Sequence, residues 1–320
     1  MDKIAVLIPC YNESLTIEKV VREIKAELPE AVVYVYDNNS TDGTDEIAKK
    51  AGAIVRYEKK QGKGTVIKTM FREIDAECYL MIDGDDTYPT CNAKQLCAPI
   101  LIDRVDMVIG DRLSSTYFTE NKRLFHNTGN KLVKYLINTL FKNNIRDIMT
   151  GYRAFSYEFV KTFPVLSKGF EIETEMTINS LDKNLKIQNV IIDYKDRPEG
   201  SESKLNTYSD GAKVIKTIFN LYKNYKPLAF FALLASVLSV VSIAFLIPVL
   251  IDFYNTGEVP KMPSFLACVF FVLTAIQSFF TGLTLDSIAN KNRQDFEIKY
   301  TEFYDRHKRL TKEVQNQNES

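Results

Sequence analysis

Hydrophobic and polar positions follow two different periods along the first two thirds of the chain. Short apolar runs at residues 4–8, 32–36 and 79–82 have the length of buried strands, and segments with apolar residues at helical spacing lie between them. Strands that alternate with helices indicate βαβ units and a mostly parallel sheet. The pattern therefore predicts an α/β domain over residues 1–206.

Two long apolar blocks, residues 228–251 and 264–285, contain no charged side chain. At a rise of about 1.5 Å per residue, each is longer than the roughly 30 Å of membrane hydrocarbon, so both are predicted to be transmembrane helices. Basic residues flank the pair on its outer sides, whereas residues 252–263 carry a single lysine. This distribution predicts an external loop at 252–263, a cytoplasmic tail at 286–320 and cytoplasmic termini at the inner (plasma) membrane.

Residues 207–227, directly before the first apolar block, have the pattern of an amphipathic helix. Apolar positions recur at helical spacing with lysines between them. A helix of this kind that runs into a membrane span is typical of the membrane interface. An ordinary surface helix on the soluble domain is the alternative.

Composition limits the partners and the redox setting. The 41 basic and 41 acidic side chains balance, so global charge points to no partner and no nucleic-acid binding is expected. The five cysteines are scattered and lack the spacing of a zinc site or a disulfide framework, which favours a reducing compartment. The chain opens with a polar residue and a strand rather than a signal peptide, so the first domain is expected in the cytoplasm.

An acidic segment, Asp83-Gly84-Asp85-Asp86, directly follows a predicted strand. Adjacent carboxylates raise one another's pKa unless a cation takes up the charge. Hard oxygen ligands favour Mg²⁺ or Mn²⁺, which bind through one or two carboxylates together with substrate phosphates. The segment thus predicts a divalent metal site that serves a nucleotide diphosphate, with a solvated acidic turn as the alternative.

Other polar side chains also follow predicted strands. Tyr11 and Glu13 come after the first strand and Asp37 after the second. Ligands of open α/β sheets bind outside the carboxyl ends of strands, so these side chains are expected to share one crevice with Asp83 and Asp85.

Two common nucleotide motifs are absent from the sequence. Without G-x-G-x-x-G or G-x-x-x-x-G-K-[ST], a dinucleotide-binding oxidoreductase and a P-loop ATPase are disfavoured. The segment Gln61-Gly62-Lys63-Gly64 is a weaker signal. A Gly-Lys-Gly turn can bring backbone and an ammonium to a diphosphate, although such turns are also common on surfaces.

Three motifs, in order along the chain, carry a family resemblance. They are Ile8-Pro9-Cys10-Tyr11-Asn12-Glu13, the segment 36–44 (YDNNSTDGT) and Asp83-Gly84-Asp85. Together they resemble the glycosyltransferases of family 2, which have the GT-A fold. Downstream, residues 110–112, 147–153 and 197–205 are similar to the polyprenyl-phosphate glycosyltransferase branch, which includes dolichyl-phosphate mannose synthase and bacterial GtrB-type enzymes.

The resemblance covers residues 1 to about 285 and implies which residues bind the donor. The nucleotide-sugar contacts are then expected to be Pro9, Tyr11, Glu13, Asp37 and Asp83, joined by Lys63 from the Gly-Lys-Gly turn. Asp85, with Asp83, is implied as the ligand of Mg²⁺ or Mn²⁺. Asn38 stands where the pattern often has a second Asp, which leaves Asp37 as the expected contact to the base.

The resemblance also implies an acceptor end. Contacts to the lipid phosphate are expected from Arg112, Arg123, Arg153, Arg197, Ser203 and Lys204. The catalytic set is then Asp85, Arg112 and Arg197. Asp111 departs from the usual Gly-Ser-Arg and places an acid beside Arg112. Glu173 falls at a family acidic position and is expected to bind sugar hydroxyls or orient an arginine, with a helix-surface carboxylate as the alternative.

These features imply a membrane-bound inverting glycosyltransferase. It would move glucose, N-acetylglucosamine, galactose or mannose from a nucleotide sugar, UDP-linked by family habit, to undecaprenyl or another polyprenyl phosphate for cell-envelope glycans. The expected partners are the nucleotide sugar, the polyprenyl phosphate and the bilayer. Small residues in the first apolar block, such as Ala232 and Ser236, add a homo-oligomer to these expectations. The alternative is a catalytically silent scaffold that recruits a flippase or a partner transferase.

Overall fold

The computed structural model describes residues 1–114, 137–139, 141, 143, 145–169, 171–193, 219–220 and 222–318, with side chains up to residue 309. The chain divides into two compact units, Met1–Tyr208 with Phe296–Ser320, and Ser209–Asp295. Four predicted acceptor residues, Arg123, Arg197, Ser203 and Lys204, lie outside the described residues, as does most of the predicted amphipathic helix.

A seven-stranded sheet forms the centre of the first unit. Its strands are β1 (Asp2–Cys10), β2 (Val32–Asp37), β3 (Ile54–Tyr57), β4 (Ala76–Met81), β5 (Met107–Asp111), β6 (Arg153–Ser156) and β7 (Ile187–Ile191). The strand order is β3-β2-β1-β4-β6-β5-β7, and within this sheet only β6 pairs antiparallel with its neighbours. The predicted α/β domain with a mostly parallel sheet is confirmed.

The register of the strands collects their carboxyl ends at one edge. Cys10 at the end of β1 pairs with Asp37 at the end of β2, and Leu7 pairs with Met81 at the end of β4. Because β6 runs the other way, it begins at this same edge, where Arg153 pairs with both Met81 and Ile109. The loops after β1, β2, β4 and β5 and the loop before β6 therefore meet.

Six helices accompany the sheet in the described part of this unit. They are α1 (Ile17–Glu27), α2 (Thr44–Lys50), α3 (Lys63–Glu73), α4 (Ala93–Asp103), α5 (Tyr157–Thr162) and α6 (Ile172–Asp182). In α1 the apolar residues repeat every three or four positions, and this face is buried while the charged residues face solvent. The buried face joins one apolar core with strands β1, β2 and β4.

The first unit also contains the last part of a long helix, α8 (Met262–Asn318). Its Tyr300 hydroxyl donates a hydrogen bond to Asp106, and His307 Nδ1 lies 2.6 Å from Glu158 Oε1. The Phe303 ring centre is 6.4 Å from that of Tyr157. The aromatic stripe in the predicted tail is thus a packing face, which the sequence prediction did not use.

The second unit contains α7 (Pro227–Thr256) and the first part of α8. By length and composition, both helices are apolar enough to cross a membrane, and only 11% and 22% of their most apolar windows are buried. The core helix of a soluble protein would be mostly covered, so these apolar faces need another environment. Within the unit, Ser242 Oγ donates to the Cys268 carbonyl at 3.0 Å and joins the two helices.

Candidate active site

Hydrogen bonds fasten the loop after β1 to the loop after β2. The Asn12 amide donates to Ser40 Oγ at 2.9 Å, and Asn12 Oδ1 accepts from the Thr41 amide at 2.9 Å. The Glu13 amide donates to Thr44 Oγ1, also at 2.9 Å. Asn12 has a φ of 53°, a left-handed conformation that asparagine tolerates better than most residues. These contacts hold the backbone next to Tyr11 and Glu13 against the Asp37 loop.

Asp37 is buried with one of its two oxygens unpartnered. Oδ2 accepts a hydrogen bond from the Ser40 amide at 3.0 Å, whereas Oδ1 has no hydrogen-bond partner within the described parts of the chain. A buried acceptor without a donor costs about 1–3 kcal/mol. A ligand N–H group that reached Oδ1 would remove this cost.

Asn38 is a structural residue. Its Nδ2 donates to the carbonyls of Glu58 and Lys60 at 2.6 and 3.0 Å, and its Oδ1 accepts from the Gly62 amide at 2.8 Å. An ionised aspartate has no donor for the two carbonyls. The departure from the family pattern at position 38 therefore fixes the neighbouring loop and leaves ligand contact to Asp37.

Two glycines determine where Lys63 lies. Gly62 has a φ of 133°, and a Cβ on it would come within 2.2 Å of the Lys168 carbonyl oxygen. A Cβ on Gly64 would approach the Ser167 oxygen equally closely, at 2.2 Å. Side chains at these positions would push apart α3 and the segment before α6. The two glycines thus allow close packing of the turn against residues 167–168, and this packing positions Lys63.

Lys63 forms ion pairs with two carboxylates. Its Nζ is 2.6 Å from Asp83 Oδ1 and 2.6 Å from Glu173 Oε1. Burial alone would lower the pKa of Lys63, but Asp83 and Glu173 outweigh it and raise this pKa well above its usual value. Glu173 is 4% exposed, so it is not a helix-surface carboxylate. It holds a lysine, where the sequence prediction offered sugar hydroxyls or an arginine.

The three carboxylates of the acidic segment have different surroundings. Asp85 is 4% exposed, and its Oδ1 accepts from the Thr87 amide at 3.2 Å and the Thr87 hydroxyl at 2.6 Å. Asp86 instead pairs with Lys19, whose Nζ is 2.5 Å from Oδ2. Asp83, which pairs with Lys63, and Asp85 thus remain the two candidate metal ligands of this segment.

The donor set fits a divalent metal that is shared with a ligand. In the described part of the chain, no group of three or more histidine, cysteine or acidic side chains could hold a metal ion by itself. Asp83 and Asp85 supply hard oxygen ligands, and Mg²⁺ or Mn²⁺ typically binds through such a pair with substrate phosphates completing the shell. The residues present therefore fit this metal class.

The buried thiol of Cys10 marks the point at which the predicted donor residues converge. Burial raises its pKa, and the negative charges of Glu13, Asp37, Asp83 and Asp85 raise it further. These carboxylates come from three loops, so the loops that were predicted to share a crevice lie near one another at this edge of the sheet. Around it, Tyr11 is 38% exposed, and Pro9 and Glu13 are partly buried.

Arg112, after β5, is held by an aspartate that the sequence prediction did not single out. Arg112 Nε donates to Asp147 Oδ2 at 2.8 Å, and Nη2 donates to Oδ1 at 3.2 Å. The guanidinium carbon lies 5.7 Å from the centre of the Tyr88 ring, and the Tyr88 hydroxyl accepts from the Gly151 amide at 2.9 Å. Asp147 lies in the segment 147–153 and Tyr88 lies two residues after the acidic segment, but only their proximity to Arg112 reveals that they hold it.

The structure describes two further residues of the predicted acceptor end. The buried Asp111 carboxylate accepts hydrogen bonds from the Ser114 amide and hydroxyl at 3.2 and 2.5 Å. Arg153 has no exposed surface, so it does not contact a lipid phosphate. Its guanidinium donates to the carbonyls of Thr150 and Ile148 at 2.9 and 2.6 Å. Burial lowers the pKa of Arg153 to about 10.

Similar proteins identify the family of this chain. Residues 5–163 match the family model described as glycosyl transferase family 2. "Glycosyltransferase AglJ" of Haloferax volcanii is 35% identical over 231 residues, which are 72% of this chain and 75% of the relative. A "dolichyl-phosphate hexose transferase" of the same organism is 29% identical over 217 residues, or 68% of this chain and 92% of the relative.

A solved structure has the same fold. Glucosyl-3-phosphoglycerate synthase from Mycobacterium tuberculosis, in complex with Mn²⁺, UDP and glucosyl-3-phosphoglycerate, superimposes with a TM-score of 0.55 at 21% identity. The match covers 69% of this chain and 79% of that one. With the sheet order, the crevice and the relatives taken together, the chain belongs to glycosyl transferase family 2 and is a glycosyltransferase with a GT-A-like fold.

Proposed function

We propose that this glycosyltransferase moves a single sugar from a nucleotide sugar to a polyprenyl phosphate at a membrane surface. The observation that carries the proposal is the sheet edge where β2 and β4 flank β1, because it sets Asp37, Asp83 and Asp85 at neighbouring strand ends around the proposed crevice, with Asp37 Oδ1 buried and unpartnered. The Arg112 guanidinium carbon lies 5.7 Å from the centre of the Tyr88 ring, and the charges of Asp83 and Lys63 also act on the Tyr88 phenol, which links Arg112 to this crevice. Such a crevice suits a donor with a diphosphate and an acceptor with a phosphate.

The donor end would read the base and hold the diphosphate. Asp37 Oδ1 is an unpartnered buried acceptor, and the imide N–H of a uracil ring is a donor that suits it. Tyr11 has exposed ring surface for stacking on a base, and Pro9 and Glu13 complete the wall. These features favour UDP, and the solved relative holds UDP in its crystal. Lys63 would neutralise diphosphate charge.

A divalent ion held by Asp85 and Asp83 would supply charge stabilisation for the departing nucleotide diphosphate. The chain's own residues would do the rest by position. Thr87 fixes Asp85 through two hydrogen bonds, and Gly151 packs against Asp83. Carboxylates fixed in this way need no rearrangement during the reaction.

The acceptor end would orient a phosphate that is already ionised at neutral pH, so the reaction needs no strong general base. Arg112 is the described cation best suited to this task, because Asp147 and Tyr88 fix its plane. Arg197, Arg123, Ser203 and Lys204 stay predictions for the same phosphate. Attack by the phosphate oxygen on the sugar C1 would form a new C1–O bond and break the bond between C1 and the nucleotide diphosphate, with inversion at that carbon.

The lipid acceptor accounts for the two apolar helices. A polyprenyl phosphate offers its head group at the membrane surface, where a catalytic domain anchored by α7 and α8 would meet it. One of the two relatives from Haloferax volcanii, the 29% identical one, is named a dolichyl-phosphate hexose transferase. We extend the proposal to a catalytic domain at 1–206, a juxtamembrane helix at 207–227 and spans at 228–251 and 264–285. In this topology the catalytic domain and both termini face the cytoplasm.

A transfer assay with purified full-length protein tests the proposal. Radiolabelled UDP-glucose, UDP-N-acetylglucosamine, UDP-galactose and GDP-mannose would each be offered with undecaprenyl phosphate, with Mg²⁺, Mn²⁺ or EDTA present. One donor should give a labelled lipid in a metal-dependent reaction. Absence of lipid product with every donor, despite nucleotide binding, would support the scaffold alternative. A product that forms fully in EDTA would refute the metal assignment.

A further inference from the structure

The Lys63 ammonium lies between two carboxylates at the diphosphate end of the proposed site. Nζ is 2.6 Å from Asp83 Oδ1 and 2.6 Å from Glu173 Oε1, and these side chains are 11%, 23% and 5% exposed. The second oxygen of Asp83 is crowded by backbone, because a Cβ on Gly151 would come within 2.5 Å of Oδ2. One oxygen of Asp83 is therefore paired with an ammonium, and the other packs against Gly151.

A metal ion at Asp83 must compete with this ammonium for the same oxygen. Two cations at one carboxylate repel each other strongly in a partly buried site. No group of three or more acidic, histidine or cysteine side chains among the described residues is arranged to hold a metal ion and so offset the repulsion. Binding of the free metal ion to the protein alone should therefore be weak.

A nucleotide diphosphate changes this balance. Its phosphate oxygens add ligands for the metal and give the ammonium a second acceptor in place of Asp83. Glu173 holds Lys63 from the opposite side, so the ammonium keeps a charge partner when it leaves Asp83. Glu173 is then a positioning residue, since it acts through Lys63.

We propose that Lys63, positioned by Glu173, blocks Asp83 against free Mg²⁺ or Mn²⁺ and releases it only to a metal that arrives with a nucleotide diphosphate. This inference rests on the proposed function and adds an order of binding to it. Free divalent ions do not fill the site ahead of the donor. Lys63 exchanges one anion, Asp83, for another, the diphosphate.

Direct metal binding tests the order without an activity assay. The loss of the electron paramagnetic resonance signal of free Mn²⁺ reports binding to the full-length protein, with and without UDP, once the Mn²⁺ that the same UDP binds in the absence of protein is subtracted. In the wild type, UDP should tighten Mn²⁺ binding by at least about tenfold. The double variant Lys63→Met, Glu173→Gln should bind Mn²⁺ without UDP at least about tenfold more tightly than the wild type.

Charge-matched controls separate blocking from general electrostatics. The double variant removes one positive and one negative charge, so the local net charge is unchanged and only access to Asp83 differs. Glu173→Gln alone leaves Lys63 on Asp83 and should not gain affinity for free Mn²⁺. Lys19→Met removes an ammonium from Asp86 in the same acidic segment and leaves Asp83 covered. It should gain much less than the double variant.

The outcomes distinguish this inference from the function on which it rests. If the wild type binds no Mn²⁺ even with UDP, the metal-assisted donor site is wrong and the inference fails with it. If UDP promotes Mn²⁺ binding but the double variant gains nothing, only the inference is overturned. An equal gain in Lys19→Met would also overturn it. Thermal unfolding checks each variant, and Lys63→Gln, with the same expected gain, replaces a double variant that does not fold.

Discussion

The donor and acceptor ends of the site are built from charged residues in opposite ways. At the proposed donor end, Asp37 keeps an unpartnered buried oxygen, and Asp85 accepts a hydrogen bond from the neutral Thr87 hydroxyl. At the acceptor end, Arg112 is fixed by a buried carboxylate and Arg153 by backbone carbonyls. Carboxylates at strand ends can thus be assigned from motifs, whereas arginines cannot until their partners are known.

Loss of Asp85 should have the largest effect on activity. A small effect would contradict the proposed difference between the donor and acceptor ends. Asp85→Ala removes the carboxylate that Thr87 fixes, and kcat should fall about 10³-fold because charge on the leaving diphosphate is no longer stabilised. Turnover of lipid product measures this. Asp86→Asn is the matched control, because Asp86 pairs with Lys19, and its activity should stay within a fewfold of the wild type. Equal losses in both would contradict the division of roles.

Arg153 should affect folding and not acceptor binding. Arg153→Met leaves the carbonyls of Ile148 and Thr150 without donors, which should lower the free energy of unfolding by roughly 3 kcal/mol. Urea denaturation measures the loss. Arg56→Met removes a surface ion pair with Glu73 and should cost less than about 1 kcal/mol. A normally stable Arg153→Met with a raised KM for polyprenyl phosphate would restore the lipid-phosphate role.

Arg112 should show the opposite behaviour to Arg153. Arg112→Lys keeps the charge but loses the two parallel hydrogen bonds to Asp147, so kcat/KM for the acceptor should fall roughly 30-fold, or about 2 kcal/mol. Initial rates at varied polyprenyl phosphate measure this, while the KM for the donor should change little. Arg146→Lys, at a more exposed arginine 3.9 Å from Asp111, should be close to wild type. A change in the KM for the donor alone would mean that Arg112 binds the donor and not the acceptor.

Substitution of Asp37 should give the smallest of these effects, and it tests the proposed contact of Asp37 with the nucleotide sugar. Asp37→Asn keeps the shape but replaces a charged acceptor by a neutral one, so the KM for the nucleotide sugar should rise about tenfold with kcat nearly unchanged. Asp45→Asn, at an exposed residue that accepts from Tyr57, is the control and should be neutral. A larger fall in kcat than rise in KM would mean that Asp37 acts in the reaction.

Local patterns in the sequence were enough for the frame of the molecule. The strand–helix alternation predicted the α/β sheet, and the apolar blocks predicted α7 and the first part of α8. Asp37 and Asp83 were predicted to share one crevice because each follows a predicted strand, and the structure places Asp37 at the end of β2 and Asp83 two residues after β4. The antiparallel β6 and the aromatic stripe of α8 were not predicted, since their partners lie far along the chain.

What the sequence determined by itself was therefore the mostly parallel sheet and the helices that are apolar enough for a membrane. Only the tertiary structure decided what each charged side chain at the edge of the sheet does. Lys63 meets Asp83 from 20 residues away, and Arg112 meets Asp147 from 35 residues away. The role of a buried charge depends on the partner that neutralises it, and that partner is chosen by the packing of the fold.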